Sequence, residues 1–394
     1  MRLSKEIWKK VKIGEVVTEL KAGFSSGKFE LDSGEIAHLR TMNISEDCQL
    51  VWNSTKYITR EVFEQNDGLQ LKKGDVLFNN TNSTELVGKS CYVNEDLVCG
   101  FSNHITRVRV DDSLLNSYFL FVIFGAYFKN RVFESYCQKW VGQSGINRGI
   151  LAKIEIPLPP LSEQKQIAAL FQSIETAMEQ VDGQEKNLKV LQKTLVNGLL
   201  TQEPVFGNLI NSKNCTPTTF GEIAECDKKY PEHEKAVERF VGLEWIEADN
   251  FQLQGFGLVA NGTTFSKRFV KGDVLFGKRR AYLKKVAIAD FDGICSGDIL
   301  VIRAKAKKML QGLLPYYISA DAFIQHAVST SAGSLSPRTK WKDLADLEVS
   351  IPDIEIQDKI LEVLQQLDNT VNQLKQQKKT LKQLKQKLLN EILG

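Results

Sequence analysis

The chain has 394 residues, of which 42% are hydrophobic and 25% charged, as is typical of globular proteins. Because the net charge is only +3, any nucleic-acid-binding surface must be a local basic patch. The seven cysteines form no CxxC pair, which favours a reducing compartment over a disulfide framework. The first ten residues are polar and show no signal-peptide pattern, and the longest apolar run, Tyr118–Phe128, is too short to span a bilayer. We therefore expect a cytoplasmic protein without a membrane partner.

Residues 1–158 are predicted to form a first domain of mixed α and β structure. The alternating runs Gly74–Phe78 and Ile105–Val110 predict strands, and the aromatic run Tyr118–Phe128 predicts a packed helix. Polar amides and hydroxyls follow the first of these strands, where they suit hydrogen bonds to DNA base edges but equally suit a plain turn. These candidate DNA-binding residues are Asn79, Asn80, Thr81, Asn82, Ser83 and Thr84.

A second candidate segment of this domain, Gly142–Arg148, lies just before a long predicted helix. Its small residues, together with Asn147 and Arg148, suit a close approach to a phosphate backbone. An ordinary loop explains the same residues equally well.

Residues 159–203 are predicted to form a long helix, because Pro159-Pro160 supplies a start signal and apolar residues then recur in heptads. One seam position is occupied by Ile167, Ile174, Val181, Leu188 and Leu195. The second, three residues after each of these, is occupied by Leu170, Ala177, Gln184, Leu191 and Gly198. Such a pattern favours a coiled coil over a helix buried in a globular core. Residues 204–216 lose the heptads and are predicted to be a linker.

Residues 217–351 are predicted to form a second mixed domain, with strands at Val274–Phe276 and Ile299–Ile302 and a helix at Tyr316–Phe323. A basic loop follows the first of these strands. Such a loop can neutralise phosphates and send an arginine to guanine, although a solvated charge cluster is the alternative. The candidate DNA-binding residues here are Lys278, Arg279, Arg280, Tyr282, Lys284 and Lys285, with Arg338 from the segment Ser331–Arg338.

Residues 352–394 are predicted to form a second long helix with the same heptads. Its seam is predicted at Ile360, Leu367, Leu374, Leu381 and Leu388, with Val363, Thr370, Gln377, Leu384 and Glu391 in the second position. Gln184 and Gln377 therefore take equivalent places in the two predicted seams. They are either buried amides that penalise wrong registers or solvated weak positions.

The two halves of the chain repeat each other. Lys379–Leu393 repeats Lys186–Leu200 at an offset of about 193 residues, and Lys271–Phe276 repeats Lys73–Phe78. The repeat predicts an α+β protein in which two mixed α/β domains are joined by two long helices. We expect the helices to form an antiparallel coiled coil within the chain, and the molecule to be pseudo-twofold symmetric.

The sequence lacks the motifs of several enzyme classes. It has no HExxH metal-binding motif, no phosphate-binding GxxxxGK[ST] loop and no PD…(D/E)xK nuclease pattern. It also lacks the Asn/Asp-Pro-Pro-aromatic tetrapeptide with which amino-methyltransferases hold a flipped base. The segment Gly255–Ala260 fits GxGxx[GA] but runs into Asn261-Gly262 rather than into a helix, so we interpret it as a turn. We therefore predict no catalytic residue, no metal site and no cofactor bound by this chain.

The whole pattern resembles the DNA-specificity subunit of type I restriction–modification enzymes. The most specific part is Ile156–Ala168, IPLPPLSEQKQIA, with the Leu-rich helix after it, and Gly272–Arg303 resembles a target recognition domain of that family. The second Pro-containing motif departs from the family pattern at Asp353 and Ile356, which weakens one helix-start signal.

The resemblance implies that each domain reads one half of a bipartite site on double-stranded DNA and that the helices fix the spacer. It also implies two modification subunits, which bind S-adenosylmethionine and methylate adenine N6, and restriction subunits that cut unmethylated DNA. The modification subunits are expected to dock near the start of each long helix. The residues expected there are Leu161, Gln164, Ile167, Ile354, Gln357 and Ile360.

Two other classes of protein remain open from the sequence. A coiled-coil scaffold for protein interactions explains the heptads but not the basic loop, and it predicts no salt-dependent DNA binding. A self-contained DNA methyltransferase or nuclease has the right partner but lacks the motifs.

Overall fold

A computed structural model gives the structure of the chain and describes residues 5–66, 70–201, 204–207, 209–210 and 214–393. The chain forms two compact units. The first comprises Met1–Gln180 and Gln377–Gly394, and the second comprises Val181–Gln376. Each unit therefore contains one globular domain and a part of each long helix.

The first unit is built on a four-stranded antiparallel sheet with the order β2-β9-β5-β7. A three-stranded sheet, β4-β3-β8, contains one parallel pair, and smaller sheets have the orders β10-β11-β6 and β1-β12. The strands are β1 Lys9–Lys12, β2 Val17–Ala22, β3 Ile36–Leu39, β4 Lys56–Ile58, β5 Val76–Asn79, β6 Thr81–Asn82, β7 Ser90–Tyr92, β8 Cys99–Phe101, β9 Ile105–Val110, β10 Gln138–Trp140, β11 Gln143–Gly145 and β12 Glu155–Leu158. The helices that begin in this unit are α1 Arg60–Gln65, α2 Ser117–Lys129, α3 Arg148–Lys153 and α4 Leu161–Thr201.

The second unit repeats this plan with the sheets β14-β21-β18-β19, β16-β15-β20-β17 and β13-β22. Its parallel pair, β15 with β20, matches β3 with β8 of the first unit. The strands are β13 Cys215–Thr219, β14 Ala224–Cys226, β15 Arg239–Val241, β16 Gly257–Leu258, β17 Lys267–Phe269, β18 Val274–Gly277, β19 Val286–Ile288, β20 Gly293–Cys295, β21 Ile299–Ala304 and β22 Glu348–Pro352. The helices are α5 Phe220–Ile223, α6 Leu314–Ser319, α7 Asp321–Ser329, α8 Trp341–Ala345 and α9 Ile354–Leu393.

Aromatic side chains fill both cores, as burial of large apolar surface favours. In the first unit, Phe78 of β5 packs edge-on against Phe124 of α2 and against Phe133. In the second unit, Phe276 of β18 packs against Phe323 of α7. The four predicted strands and the aromatic helix α2 are thus confirmed.

The predicted helix Tyr316–Phe323 is two helices, α6 and α7, separated by Ala320. Ala320 is extended, and the amide of Asp321 then donates to Asn197 Oδ1 of α4 at 2.8 Å. The Asn197 side chain of α4 thereby accepts the first amide of α7. In one continuous helix over this segment, that amide would have bonded to a backbone carbonyl of the preceding turn.

The repeated Lys-Gly-Asp motif fixes the start of the central strand in each unit. Asp75 accepts a hydrogen bond from the Lys72 amide at 2.8 Å and pairs with Arg109 of β9 through Nε at 2.7 Å. Asp273 does the same in the second unit, accepting from the Val270 amide at 2.8 Å and from Arg303 Nε at 2.6 Å. Both carboxylates are buried. Burial raises the pKa of Asp273, against the opposing effects of the Val270 amide and the Arg303 guanidinium.

The long helices α4 and α9 pack together and run antiparallel, as predicted. In the first unit, Lys385 pairs with Glu175. In the second unit, Gln192 donates to Asp368. The partner numbers on α9 fall as those on α4 rise, which is the order of an antiparallel pair.

The expected second seam position of both helices is wrong by one residue. The inward positions four residues after the first set hold Phe171, Met178, Glu185, Gln192 and Leu199 on α4, and Leu364, Val371, Lys378, Lys385 and Ile392 on α9. Gln184 and Gln377 are exposed, so they are not buried amides that fix the register. A heptad permits either spacing, three or four residues, and Phe171 and Ile392 decide the phase because they enter the core of the first unit.

The predicted linker, residues 204–216, contains residues that pack against the second unit. Phe206 and Ile210 belong to the core of that unit. Strand β13 begins at Cys215 and pairs with β22. Residues 208 and 211–213 of this segment lie outside the described residues.

Candidate DNA interface

In both units the residue after the central strand is held by the same two backbone hydrogen bonds. In the first unit, the Asn80 amide donates to the His104 carbonyl at 3.0 Å, and the Asn80 carbonyl accepts from the Ile146 amide at 2.8 Å. In the second unit, the Lys278 amide donates to the Asp298 carbonyl at 2.9 Å, and the Lys278 carbonyl accepts from the Thr339 amide at 3.1 Å. The loop after the strand and the segment before the long helix therefore meet in each unit. We call these meeting points the first and second loop surfaces.

Two predicted residues of the first loop surface, Asn79 and Asn80, lie inside the domain rather than on it. The side-chain amide of Asn79, Nδ2, donates to the Leu86 carbonyl at 3.1 Å. The side-chain amide of Asn80, Nδ2, donates to the Asn103 carbonyl at 3.1 Å and to Thr106 Oγ1 at 2.9 Å. Because both side chains are buried and bonded internally, we do not carry them into the proposed contact surface.

The other predicted residues of this loop are half-exposed and pair with a hairpin. Strand β6 is bonded to β11, so that Thr81 lies opposite Gly145 and Asn82 opposite Ser144. The hydroxyls of Thr84 and Ser144 are 2.6 Å apart. The segment Gly142–Arg148 is thus partly strand, rather than only a loop. The pairing leaves Asn82 and Ser83 at the surface.

The sequence reasoning missed the tip of this hairpin. Strands β10 and β11 are joined through Val141 and Gly142, and Trp140 and Val141 are exposed. Gly142 has φ +80°, which favours glycine at the turn. Two short polar runs around Trp-Val-Gly are the signal that could have indicated a hairpin with an apolar tip.

Asn147 and Arg148 lie at the start of α3 with different roles. Asn147 caps the helix by accepting the Ile150 amide at 2.9 Å, and its own amide donates to Gln138 at 3.3 Å. Arg148 is exposed at the first helical position. Both residues are exposed, but the Asn147 side chain is engaged in the helix cap, so Arg148 is the residue of this pair that we propose as a phosphate contact.

The second loop surface brings two predicted basic segments together. Arg279 forms a β-bridge with Arg338, and the Arg280 amide donates to the Pro337 carbonyl at 2.8 Å. Arg279 also donates to Ser336 Oγ at 3.1 Å. Arg280 is exposed and left-handed, with φ +54°. This surface is cationic, whereas the first loop surface presents hydroxyls and amides.

One carboxylate lies among these cations. Arg338 donates to Asp298 through Nε at 2.6 Å and through Nη2 at 3.1 Å. Arg279 Nη1 is 3.8 Å from the same carboxylate. The hydrogen bonds from Arg338 hold the pKa of Asp298 below its usual value, against a smaller opposing effect of burial.

The two predicted lysines at the end of the basic loop bind the protein itself. Lys284 pairs with Asp321 of α7. Lys285 donates to the Leu243 carbonyl at 2.5 Å. Lys89 of the first unit takes the same place, since its Nζ lies 3.4 Å from the Thr41 carbonyl. Tyr282, by contrast, is exposed.

Four of the six residues expected to contact a modification subunit are buried. Gln164 Oε1 accepts the Asn116 amide at 2.8 Å, and its Nε2 donates to the Leu114 and Pro159 carbonyls at 3.1 and 2.9 Å. Gln357 binds the second unit in the same way. Ile167 and Ile360 are fully buried. These four residues anchor the helices to their own domains, so we do not carry them into a partner surface.

The remaining two of the six expected partner contacts, Leu161 and Ile354, are half-buried at the first position of α4 and α9. Among the residues that the structure describes, no group of His, Cys, Asp or Glu is placed to hold a metal ion. No described helix is long and apolar enough to cross a membrane.

Two domains of one architecture that present different surface chemistry define a protein with paired recognition domains. The family described as "Type I restriction modification DNA specificity domain" matches residues 5–189 and 216–383. The chain belongs to this family. It is a DNA specificity subunit of a type I restriction–modification system, the component of such an enzyme that is not catalytic.

Related proteins agree with this assignment. The chain is 24% identical over 341 residues to a Methanocaldococcus jannaschii protein provisionally named the MjaX type I restriction enzyme specificity subunit, covering 81% of this chain and 77% of that protein. It is 24% identical over 261 residues to the EcoDI specificity subunit of Escherichia coli, covering 56% of each. The chain thus spans about half the length of this second relative.

Solved structures show the same fold. A crystal structure of the S subunit of a type I restriction–modification system from M. genitalium matches with a TM-score of 0.63 and 15% identity, over 100% of this chain and 98% of the other. A structure described as showing complex assembly and conformational transition of the type I restriction–modification system matches with a TM-score of 0.55 and 17% identity, over 98% and 97%. At these identities the similarity concerns the fold.

Proposed function

We propose that each loop surface reads one half of a bipartite DNA site and that α4 and α9 set the spacer between the halves. The observation that carries this proposal is the difference between two surfaces built on one frame. The same backbone hydrogen bonds hold Asn80 and Lys278, yet hydroxyls and amides follow the first and guanidinium groups the second. A repeated frame with different side chains suits two recognition sites of different sequence.

The second loop surface would read its half-site through cations. Arg279, Arg280 and Lys278 can neutralise phosphates, and an arginine can form two hydrogen bonds with guanine O6 and N7. Tyr282 is exposed beside them and would add a polar or stacking contact.

The first loop surface would read the other half-site through neutral groups. Asn82 can pair with adenine N6 and N7, and Ser83 and Thr84 can donate to or accept from base edges. Arg148 would hold a phosphate close to this surface. We therefore expect the first half-site to depend less on salt than the second.

The partners follow from the type of enzyme. We propose that the chain directs two modification subunits, which bind S-adenosylmethionine and methylate adenine N6, and that restriction subunits join the same complex. Leu161 and Ile354, both half-buried at the start of a long helix, remain the proposed contacts with the modification subunits.

A methylation map tests the proposal. The chain is expressed with the modification subunit encoded beside it in a host without adenine methylation, and N6-methyladenine is located by long-read sequencing. One bipartite motif with a fixed gap, absent when this chain is omitted, is the expected result. Methylation of the same motif without this chain would contradict the proposal, and so would a copurifying complex that methylates nothing.

The spacer role has its own test. Helix α4 has 41 residues and α9 has 40, and inserting one turn of four residues into both lengthens each by about 6 Å. This length corresponds to roughly two base pairs at about 3.4 Å per pair. The methylated motif should therefore gain spacer length, whereas the same insertion after Gly207, outside the helices, should not change it. An unchanged spacer in the variant with longer helices would refute the proposal that α4 and α9 set the spacer length.

A further inference from the structure

Asp298 places a negative charge on the second loop surface. A surface that binds DNA would have a higher affinity without this charge. A negative charge between Arg279 and Arg338 repels phosphates and neutralises part of the positive charge that attracts them. The arrangement therefore needs a reason other than attraction to the DNA backbone.

The geometry supplies one, because Asp298 fixes the direction of an arginine. Two of the five N–H groups of Arg338, one on Nε and one on Nη2, bind the two carboxylate oxygens at 2.6 and 3.1 Å. The adjacent edge, formed by Nη1 and the second N–H of Nη2, is not used by Asp298, and Nη1 makes one long contact of 3.4 Å with the Ser336 carbonyl. This outer edge is the fork that matches O6 and N7 of guanine.

The backbone of Asp298 is bonded to the first basic segment and within its own turn. The Asp298 carbonyl accepts the Lys278 amide at 2.9 Å, and the Asp298 amide donates to Ser296 Oγ at 3.2 Å. Arg279 is held beside it, with Nη1 3.8 Å from the carboxylate and Nη2 3.1 Å from Ser336 Oγ. Asp298 thus links the two basic segments that form the second loop surface.

We propose that Asp298 is a positioning residue that holds Arg338 so that its outer edge reads one guanine of the second half-site. This inference rests on the proposed function. It adds the base that is read, guanine, and the residue that orients Arg338 toward it. The described residues of the first unit do not form this arrangement. His104 takes the place of Asp298 there, and the strands join Thr81 to Gly145.

The test uses the full chain in complex with its modification subunits. Four variants are compared with the parent protein: Asp298→Asn, Arg338→Ala, the double variant, and Asp290→Asn as a control. Asp290 is an exposed acid of the same unit, so its variant makes the same change in charge away from the surface. Fluorescence anisotropy gives the Kd for duplexes that carry the mapped motif, for the same duplexes with each second-half-site guanine replaced by adenine, and for an unrelated duplex.

Asp298→Asn should reduce the preference for guanine at one position by roughly tenfold, because a misaligned arginine loses its bidentate contact. Binding to the unrelated duplex should stay equal or become tighter, since a negative charge has been removed. Arg338→Ala should abolish the same preference, and the double variant should match Arg338→Ala, because Asp298 acts through Arg338. Asp290→Asn should retain the preference.

Two results would overturn the inference, and a third would overturn the proposed function on which it rests. An unchanged guanine preference in Asp298→Asn would show that Asp298 does not orient Arg338 for base recognition. Equal weakening on every duplex, including the unrelated one, would mark a role in folding alone. A parent complex without any sequence preference would instead refute the proposed function, so the two failures can be told apart.

Discussion

Substitution of Gln357 should strongly lower the stability of the second unit, because this residue anchors the start of α9 to its own domain. Its side chain is fully buried and makes three hydrogen bonds. Oε1 accepts the Leu310 amide at 2.9 Å, and Nε2 donates to the Lys308 carbonyl at 2.9 Å and to the Pro352 carbonyl at 2.8 Å. The amide therefore ties the first turn of α9 both to the loop before α6 and to the end of β22.

Gln357→Met keeps the length of the side chain and removes all three bonds. The bond to Pro352 is buried, so its loss leaves a carbonyl without a partner, whereas water can reach the partly buried groups of Leu310 and Lys308. An unsatisfied buried group costs about 1–3 kcal/mol and each of the two partly exposed bonds about 0.5–1.5 kcal/mol, so we expect a total of roughly 2–6 kcal/mol.

Hydrogen exchange measured by mass spectrometry reads this effect locally, which matters because a chain of two units need not unfold in one step. In Gln357→Met, the segment 308–313 should exchange roughly 30-fold faster or more, since each 1.4 kcal/mol changes an equilibrium tenfold. Gln164→Met is the matched variant of the first unit and should accelerate segment 114–117 while leaving 308–313 unchanged. Gln373→Met, at an exposed position of α9, should change neither.

The reasoning would be refuted if Gln357→Met left exchange at 308–313 unchanged and cost less than about 1 kcal/mol in denaturant unfolding. Acceleration of both segments in each variant would also contradict it. That result would show a general loosening of the chain rather than two separate anchors.

Three further predictions concern the basic loop. Replacing Arg279 and Arg280 by Ala should weaken the second half-site by about 1–3 kcal/mol if either binds guanine, with no effect on the first; an equal loss on all DNA would mark phosphate contacts. Lys285→Met should lower the free energy of unfolding by about 1 kcal/mol through the lost bond to a carbonyl, yet change DNA affinity less than twofold. Lys284→Met should cost up to about 1 kcal/mol at pH 7. Because Lys284 lowers the pKa of Asp321, this contribution is complete above pH 3.8, and denaturant titrations should show it disappearing as the pH falls further.

The strands and helices that position the loop surfaces could be predicted because their signals are local. Ile105–Val110 alternates over its whole length and forms β9 with those bounds. The meeting of Arg279 with Arg338 could not be predicted in this way, because 59 residues separate them and the bridge depends on how β18 and the segment before α8 are placed. Asp298 was missed for the same reason: its role exists only where these two segments meet.

The phase of the helix seam shows a different limit. Heptads give the period but not which of two neighbouring rows faces the partner, and both rows of α4 contain apolar residues, such as Leu170 and Phe171. The globular domain makes the choice, since Phe171 is fully buried in the core of the first unit. A pattern confined to one helix carries no information about that core.

The internal repeat itself separates the residues that support the fold from those proposed to read DNA. Residues that recur in both halves, such as the motif aspartates and the helix-anchoring glutamines, proved to be buried and bonded within their own unit. Lys285 escaped this comparison because the first unit has two more residues in the loop, which moves its equivalent to Lys89 and hides the match at a constant offset. Once the offset is corrected, repetition removes Lys285 from the reading surface. Arg279, Arg280 and Arg338 remain, and in the first unit their places are taken by Thr81, Asn82 and Gly145, so sequence specificity should change when these positions change.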